Sequence, residues 1–378
     1  MIDIKNKKDC CGCHACVSVC PKHCISMQTD EEGFLYPLPD LNVCIHCNRC
    51  DRVCPVIHPG EPRLPIKVYA AKNKQREIRL ESSSGGVFSL LAEEIIQRGG
   101  VVFGAKYNDH WNVMHAWTDT LEGTAAFRGA KYVQSVIGNT YQETRSFLKQ
   151  GRWVLFSGTP CQIKGLLNFL GRAYEKLVTV DIVCHGIPSP LVWQTYLKSI
   201  NPDSGKITML SMRDKTDGWK QYRMLIQTDS RLLYFGKAAR NLYSQGYLAD
   251  LYLRPSCHAC PSKKGRSQSD CTLGDFWGIR NYFPEMDDNR GVSLVLVNSL
   301  RGLNFFQGLD VSYKEATYEQ SLQENPCLEQ SVPCPTFREE FWNCFFTEGM
   351  LGVKKYVRKS KKSLWSRIWN RLHKMIKT

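Results

Sequence analysis

From Lys67 onward, short apolar runs alternate with amphipathic stretches. The runs predict strands at 67–72, 100–107, 152–157, 177–183 and 291–297, and the 3.6-residue spacing between them predicts helices at 85–98, 140–150, 160–170 and 190–200. Strands alternating with helices indicate an α/β domain, with antiparallel strands over 206–235 inserted in it. Before Lys67 the pattern differs. Ile25 to Tyr36 alternates apolar and polar around Asp30 and Gly33, as a short hairpin does. The proline-rich stretch Pro59–Pro65 reads as a linker. The resulting division is a small α+β domain at 1–60, a linker at 61–66, an α/β domain at 67–345 and a tail at 354–378.

The tail has its own periodicity. Leu364, Trp365, Ile368, Trp369, Leu372, Met375 and Ile376 fall within an arc of about 140°, and Arg367, Arg371, Lys374 and Lys377 lie opposite. This predicts a C-terminal amphipathic helix. Such a helix can dock on its own domain, but two tryptophans beside dense Lys and Arg favour an anionic membrane surface. The tail carries ten of the fifty Lys and Arg and none of the thirty-six Asp and Glu, so a net charge of +14 leaves only +4 for the rest of the chain. Charge confined to one short segment argues against nucleic acid. The opening MIDIKNKKDC has no apolar run after its lysines, and no stretch approaches the roughly 18 apolar residues of a membrane span. The expected location is cytoplasmic, with peripheral attachment to the inner membrane face through the tail.

Eighteen cysteines in such a chain point to metal rather than disulfides. Cys10, Cys13, Cys16 and Cys20 stand at C-x2-C-x2-C-x3-C followed by Pro21. Cys44, Cys47, Cys50 and Cys54 repeat the pattern with Pro55, at a constant offset of 34 residues. In a two-cluster ferredoxin-like unit each trio wraps one [4Fe-4S] cubane and the fourth cysteine ligates the other cluster. Cluster one would then use Cys10, Cys13, Cys16 and Cys54, and cluster two Cys44, Cys47, Cys50 and Cys20. Zinc sites built from C-x2-C pairs are the alternative, although they require neither the third cysteine nor the proline. Cys11 and Cys24 fall outside the motif and read as small buried residues.

A second group lies in the α/β domain. In VLFSGTPCQIKGLL a buried strand turns into a helix, with Thr159 at the N-cap and Pro160 at the first helical position. Cys161 then lies in the first turn, where the helix dipole favours a thiolate. Cys184 ends another apolar run, and Cys257 and Cys260 form a C-x2-C pair. Four thiolates from strand ends could close a third [4Fe-4S] cluster or a structural zinc site, with Cys271 as an alternative fourth ligand.

The ordered series SSSGGVFSLL (82–91), FRGAKYVQS (127–135), SGTPCQIKGL (157–166), DIVCHGIPSP (181–190), CHAC (257–260) and SDCTLGDFWGI (269–279) resembles the beta-subunit family of coenzyme F420 hydrogenases and dehydrogenases. The resemblance implies an α/β flavoprotein-like domain in which FAD sits beside a [4Fe-4S] cluster and exchanges a hydride with a carrier coenzyme, coenzyme F420 or another. It carries FAD contacts to Ser83, Ser84, Gly85 and Gly86 at one helix start, and to Ser157, Gly158 and Thr159 at the other. Small residues there let backbone N–H groups approach a pyrophosphate. Lys131 and Tyr132 would supply a cation and a ring, and His185 and Asp275 would relay protons. A redox partner protein would take the electrons. The reading from a different class is an electron-transfer adaptor that binds no hydride donor.

Overall fold

The computed structural model describes residues 1–361, so the amphipathic helix expected from Leu364 lies outside the described residues. The sequence repeat of the N-terminal region is also a repeat of backbone. Helices α1 (Ala15–Val19) and α2 (Arg49–Arg52) stand 34 residues apart. Gly12 and His46 both have positive φ, as do His14 and Asn48, so each cysteine loop turns in the same way before its helix. Strands β1 (Ile25–Thr29) and β2 (Leu35–Pro39) form the expected antiparallel hairpin.

The α/β region is built on an eight-stranded sheet containing β3 (Lys67–Asn73), β4 (Val101–Tyr107), β5 (Val113–Thr118), β6 (Val154–Gly158), β7 (Leu177–Ile182), β11 (Cys271–Asp275), β12 (Ser293–Val297) and β13 (Val311–Ala316). Its order is β13-β3-β12-β11-β7-β6-β4-β5. The four central strands β11, β7, β6 and β4 are parallel, and the outer ones pair antiparallel. Both faces of the sheet are covered, which is why the parallel strands read as continuous apolar runs. Val102 and Leu155 point into one layer with α4 (Val87–Gln97) and α9 (Leu300–Gln307). Val101, Phe103, Val154 and Phe156 point into the other with α5 (Thr140–Lys149) and α6 (Pro160–Leu170). That second layer also takes in Cys11, Cys13 and Ala15, so the N-terminal unit shares a core with α5 and α6.

Between β7 and β11 the chain forms α7 (Pro190–Ile200), then the three-stranded antiparallel sheet β8 (Ile207–Asp214), β9 (Arg223–Thr228) and β10 (Leu232–Lys237), then α8 (Leu242–Leu248). This is the insertion expected at 206–235. Residues 61–66 run as a pinned strap, since Arg63 N–H donates to Lys264 O at 3.0 Å and Ile66 N–H to Val297 O at 2.7 Å. Two short helices, α3 (Arg76–Glu81) and α10 (Tyr318–Gln323), and then α11 (Arg338–Glu348), complete the region. No helix among the described residues is long and apolar enough to cross a membrane.

Candidate functional site

The N-terminal loops bring Cys54 to the first trio. The Cys16 thiol is raised by burial and by the neighbouring Cys10 and Cys54, and the Cys54 thiol by burial and Cys10. Cys20, Cys24, Cys44 and Cys50 share a second small core, in which Ile2 N–H donates to Cys50 Sγ at 3.2 Å. Cys24 lies 3.4 Å from Cys20, sulfur to sulfur, so it is buried beside the thiol group without belonging to its motif.

The α/β thiols also converge. Cys161 follows the strand–turn–helix from β6 to α6, and Cys184 follows β7, the parallel neighbour of β6. Adjacent parallel strands end on the same side of a sheet, so the two thiols meet at one crevice. Cys257 and Cys260 arrive on the short 3-10 turn Pro255–Ala259. Burial pushes the Cys257 thiol up to about 12, with Cys260 and Cys161 adding to the effect. Cys184 is raised by burial and by Cys257, Cys161 and Cys260, against the nearby Lys263 ammonium. Ile187 N–H donates to Cys257 Sγ at 3.3 Å. Among the described residues no three His, Cys, Asp or Glu side chains converge tightly enough to hold a single metal ion. Cys271 does not join the group. It is buried in the sheet core at the start of β11, where burial and the Asp270 and Asp181 carboxylates raise its thiol.

Beside these thiols lies a cavity of about 890 Å³, lined by Ser83, Ser84, Gly86, Lys131, Tyr132, Ser157, Gly158, Thr159, His185 and Asp275, and by Cys184 itself. Gly85 is placed differently. It is buried behind the wall with its N–H on Ser293 Oγ at 2.9 Å, and a Cβ there would lie 2.3 Å from Ala71 O. Close packing therefore demands that glycine, and its N–H is unavailable to a ligand. Gly86 supplies the left-handed turn (φ 82°) that starts α4 at Val87, two residues later than the sequence pattern predicts. Ser84 Oγ donates to Val292 O at 2.8 Å, and Ser157 Oγ to Phe103 O at 2.9 Å, so both hydroxyls brace the wall. Thr159 N–H donates to Gln162 Oε1 at 2.9 Å, capping α6.

Some polar atoms of wall residues have no protein partner. Ser83 Oγ and the Nδ1 of His115, whose ring stacks on Phe156, are buried and unbonded. His115 Nε2 lies 3.0 Å from Ser157 O; a proton held there leaves Nδ1 as an acceptor. Burial lowers Lys131 to about 7, and its ammonium donates to Arg128 O at 2.9 Å. A desolvated amine of this kind takes up a proton when an anion enters.

His185 pairs with Asp250, Nε2 to Oδ1 at 2.6 Å. Asp275 accepts from both guanidinium nitrogens of Arg213, and from Trp219 Nε1 at 2.6 Å. Arg213 in turn lies over Tyr222 at 4.5 Å and Trp277 at 5.5 Å, on the cavity wall. Sequence reasoning missed His115, Asp250 and Arg213. None lies in a recognisable motif, and each is defined by a contact across the fold. Trp277 stands two residues after Asp275 in SDCTLGDFWGI and was within reach of the sequence.

Residues 151–320 match the family model for the C terminus of the coenzyme F420 hydrogenase/dehydrogenase beta subunit, and residues 9–57 match the 4Fe-4S dicluster domain. Among solved structures, the chain is similar to one in the xenon-derivatised F420-reducing [NiFe] hydrogenase complex from Methanosarcina barkeri. The identity is 16%, covering 82% of this chain and 94% of that one, with a TM-score of 0.46. No curated protein matches the chain.

Proposed function

We propose, from the match of residues 151–320 to the model for the C terminus of the coenzyme F420 hydrogenase/dehydrogenase beta subunit and of residues 9–57 to the 4Fe-4S dicluster domain, that this chain is an iron-sulfur flavoprotein oxidoreductase. It would pass electrons between a hydride carrier and its clusters. The observation that carries the reading is shared geometry: Cys184 belongs both to the four-thiol group and to the cavity wall. A hydride site and a cluster site therefore meet at one residue. Four thiols gathered from three places in the chain could ligate the four iron corners of a cubane.

The cavity fits FAD in volume, in its unbonded Ser83 and His115 atoms, and in the two helix N-termini that open on it. Ser83, Gly86, Lys131 and Gly158 would hold the phosphates and Tyr132 would flank a ring, while Thr159, whose N–H and hydroxyl both reach Gln162, caps α6. A bound flavin can accept two electrons as hydride and release them singly, which is what joining a hydride carrier to clusters requires. Asp250 orients the His185 ring and favours a proton on Nε2. Asp275 holds Arg213 against Tyr222 and Trp277, presenting a fixed cation at the cavity edge.

Stoichiometric FAD should be extracted from anaerobically purified protein. Reduced coenzyme F420, tested first, or a nicotinamide should then drive reduction of a one-electron dye. Flavin affinity should fall as pH rises through about 7, because Lys131 loses its proton there, and Lys131→Met should flatten that profile. Clusters without flavin, and no turnover with any donor, would favour the adaptor.

Leu38, Leu41, Val43 and Ile45 are exposed around the half-exposed Cys44 and Cys47, a suitable face for a redox partner protein. The tail supports contact with an anionic membrane. Sedimentation with anionic liposomes should be strong at low salt, weaken at high salt, and disappear when residues 354–378 are removed. Undiminished binding by that truncation would assign the contact elsewhere.

A further inference from the structure

We infer that Arg254 is a positioning residue that joins cluster one to the third cluster and sets the potential of cluster one. The inference rests on the reading above, in which Cys10, Cys13, Cys16 and Cys54 hold one [4Fe-4S] cluster and Cys161, Cys184, Cys257 and Cys260 another.

Arg254 is 1% exposed, so its charge is fully enclosed. Every nitrogen of its guanidinium donates. Nε donates to Cys10 O at 2.8 Å, Nη2 to Cys10 Sγ at 3.4 Å and to Leu35 O at 2.9 Å, and Nη1 to Gln134 Oε1 at 3.1 Å. The Tyr36 ring covers it at 4.2 Å. Gly12 lies so close that a Cβ there would stand 2.9 Å from Nη1, so the first cysteine loop rests directly on the guanidinium.

The backbone of the same residue builds the other site. Arg254 N–H donates to Ile187 O and its carbonyl accepts Cys257 N–H, both at 2.9 Å, while Ile187 N–H donates to Cys257 Sγ. One residue thus fixes a ligand of each cluster. A second contact runs alongside. Cys11 and Cys13 pack in one core with Cys161, and a Cβ on Gly165 of α6 would sit 3.0 Å from Cys13 Sγ. Cluster one, rather than cluster two, is therefore the neighbour of the third cluster. The transfer this arrangement serves moves one electron, oxidising one cluster and reducing the other, with no bond made or broken.

A cluster becomes more negative when reduced. A buried cation donating to a ligand sulfur stabilises that form and raises the potential, the hydrogen-bond and charge effect that tunes such centres. Arg254→Met removes the charge at similar volume. Arg254→Lys keeps the charge, but one ammonium cannot reach Cys10 Sγ, Leu35 and Gln134 together. The test is an EPR-monitored potentiometric titration of the full chain, with iron counted in each variant. In Arg254→Met one of three cluster potentials should move to a more negative value while the other two stay in place, and the magnetic coupling between two reduced clusters should weaken. Arg254→Lys should show the same shift in smaller degree, and decides the matter if the methionine variant loses iron. Full iron with all three potentials unmoved in either variant would overturn the assignment. Wild-type protein lacking the cluster signals would instead overturn the cluster reading on which it rests.

Discussion

Replacing Cys184 with alanine is expected to remove about four irons per chain, one cubane's worth, and to stop electron flow from any hydride donor to the N-terminal clusters. The reason is position. Cys184 follows the central strand β7, with Cys161, Cys257 and Cys260 on one side and the cavity on the other. A cubane held by three thiolates and an alanine would be lost or labile, and the route out of the cavity would be lost with it. Flavin content should remain, because Ser83 and Lys131, which also line the cavity, are untouched. Cys271→Ala is the control, since Cys271 is buried in the sheet core away from the thiol group, and it should keep all its iron. Iron and acid-labile sulfide per chain, together with the rate of dye reduction by the donor, decide the outcome. Full iron in Cys184→Ala would exclude Cys184 as a ligand, and loss in Cys271→Ala alone would move the site.

The parts of this fold that were legible in the sequence are those set by burial along one element. Strands β4, β6 and β7 are covered on both faces, and the apolar runs that open VVFGAKY, VLFSG and LVTVDI read as buried strands because they lack the alternation of a half-exposed one. Helix α6 was legible to the residue, since Pro160 starts it and Gly171, in the left-handed conformation, ends it. Edge strands were not. VMHAWT in β5 and VSYKEA in β13 each present one face to solvent, so their composition resembles loop or helix. The site shows the same division. The cysteine spacing predicts two N-terminal clusters, but no local pattern could reveal that Arg254 reaches Cys10 across 244 residues, that Cys11 shares a core with Cys161, or that Gly85 faces the sheet rather than the cavity. The proline-rich strap at 61–66 reads as a boundary, yet its contacts with Lys264 and Val297 tie it to the α/β region. Sequence periodicity records which face of an element is buried, and it is silent on which distant residue covers that face.

Glu32→Ala is expected to destabilise the full chain by about 3–5 kcal/mol, as removing one partner of a buried ion pair does. Glu32 lies in the turn between β1 and β2 and is 7% exposed. Its carboxylate takes both guanidinium nitrogens of Arg338, the first residue of α11, one of them at 2.6 Å, and Arg338 also donates to Leu253 O at 3.0 Å. Glu32 O accepts the hydroxyl of Ser189, the residue that caps α7. The hairpin is therefore tied to two helices and to the residue preceding Arg254. Alanine would strand a buried cation whose Nε already lacks a partner. The exposed pair Lys67–Glu315 at the sheet edge provides the contrast, and Glu315→Ala should barely move the unfolding midpoint because solvent screens that pair. In chemical denaturation of full-length protein, the Glu32→Ala midpoint should fall well below that of Glu315→Ala. The double variant Glu32→Ala with Arg338→Met should recover most of the loss, since the cost lies in the uncompensated charge rather than in the missing attraction. Equal midpoints for the two single variants would show that the hairpin is held by its apolar contacts alone.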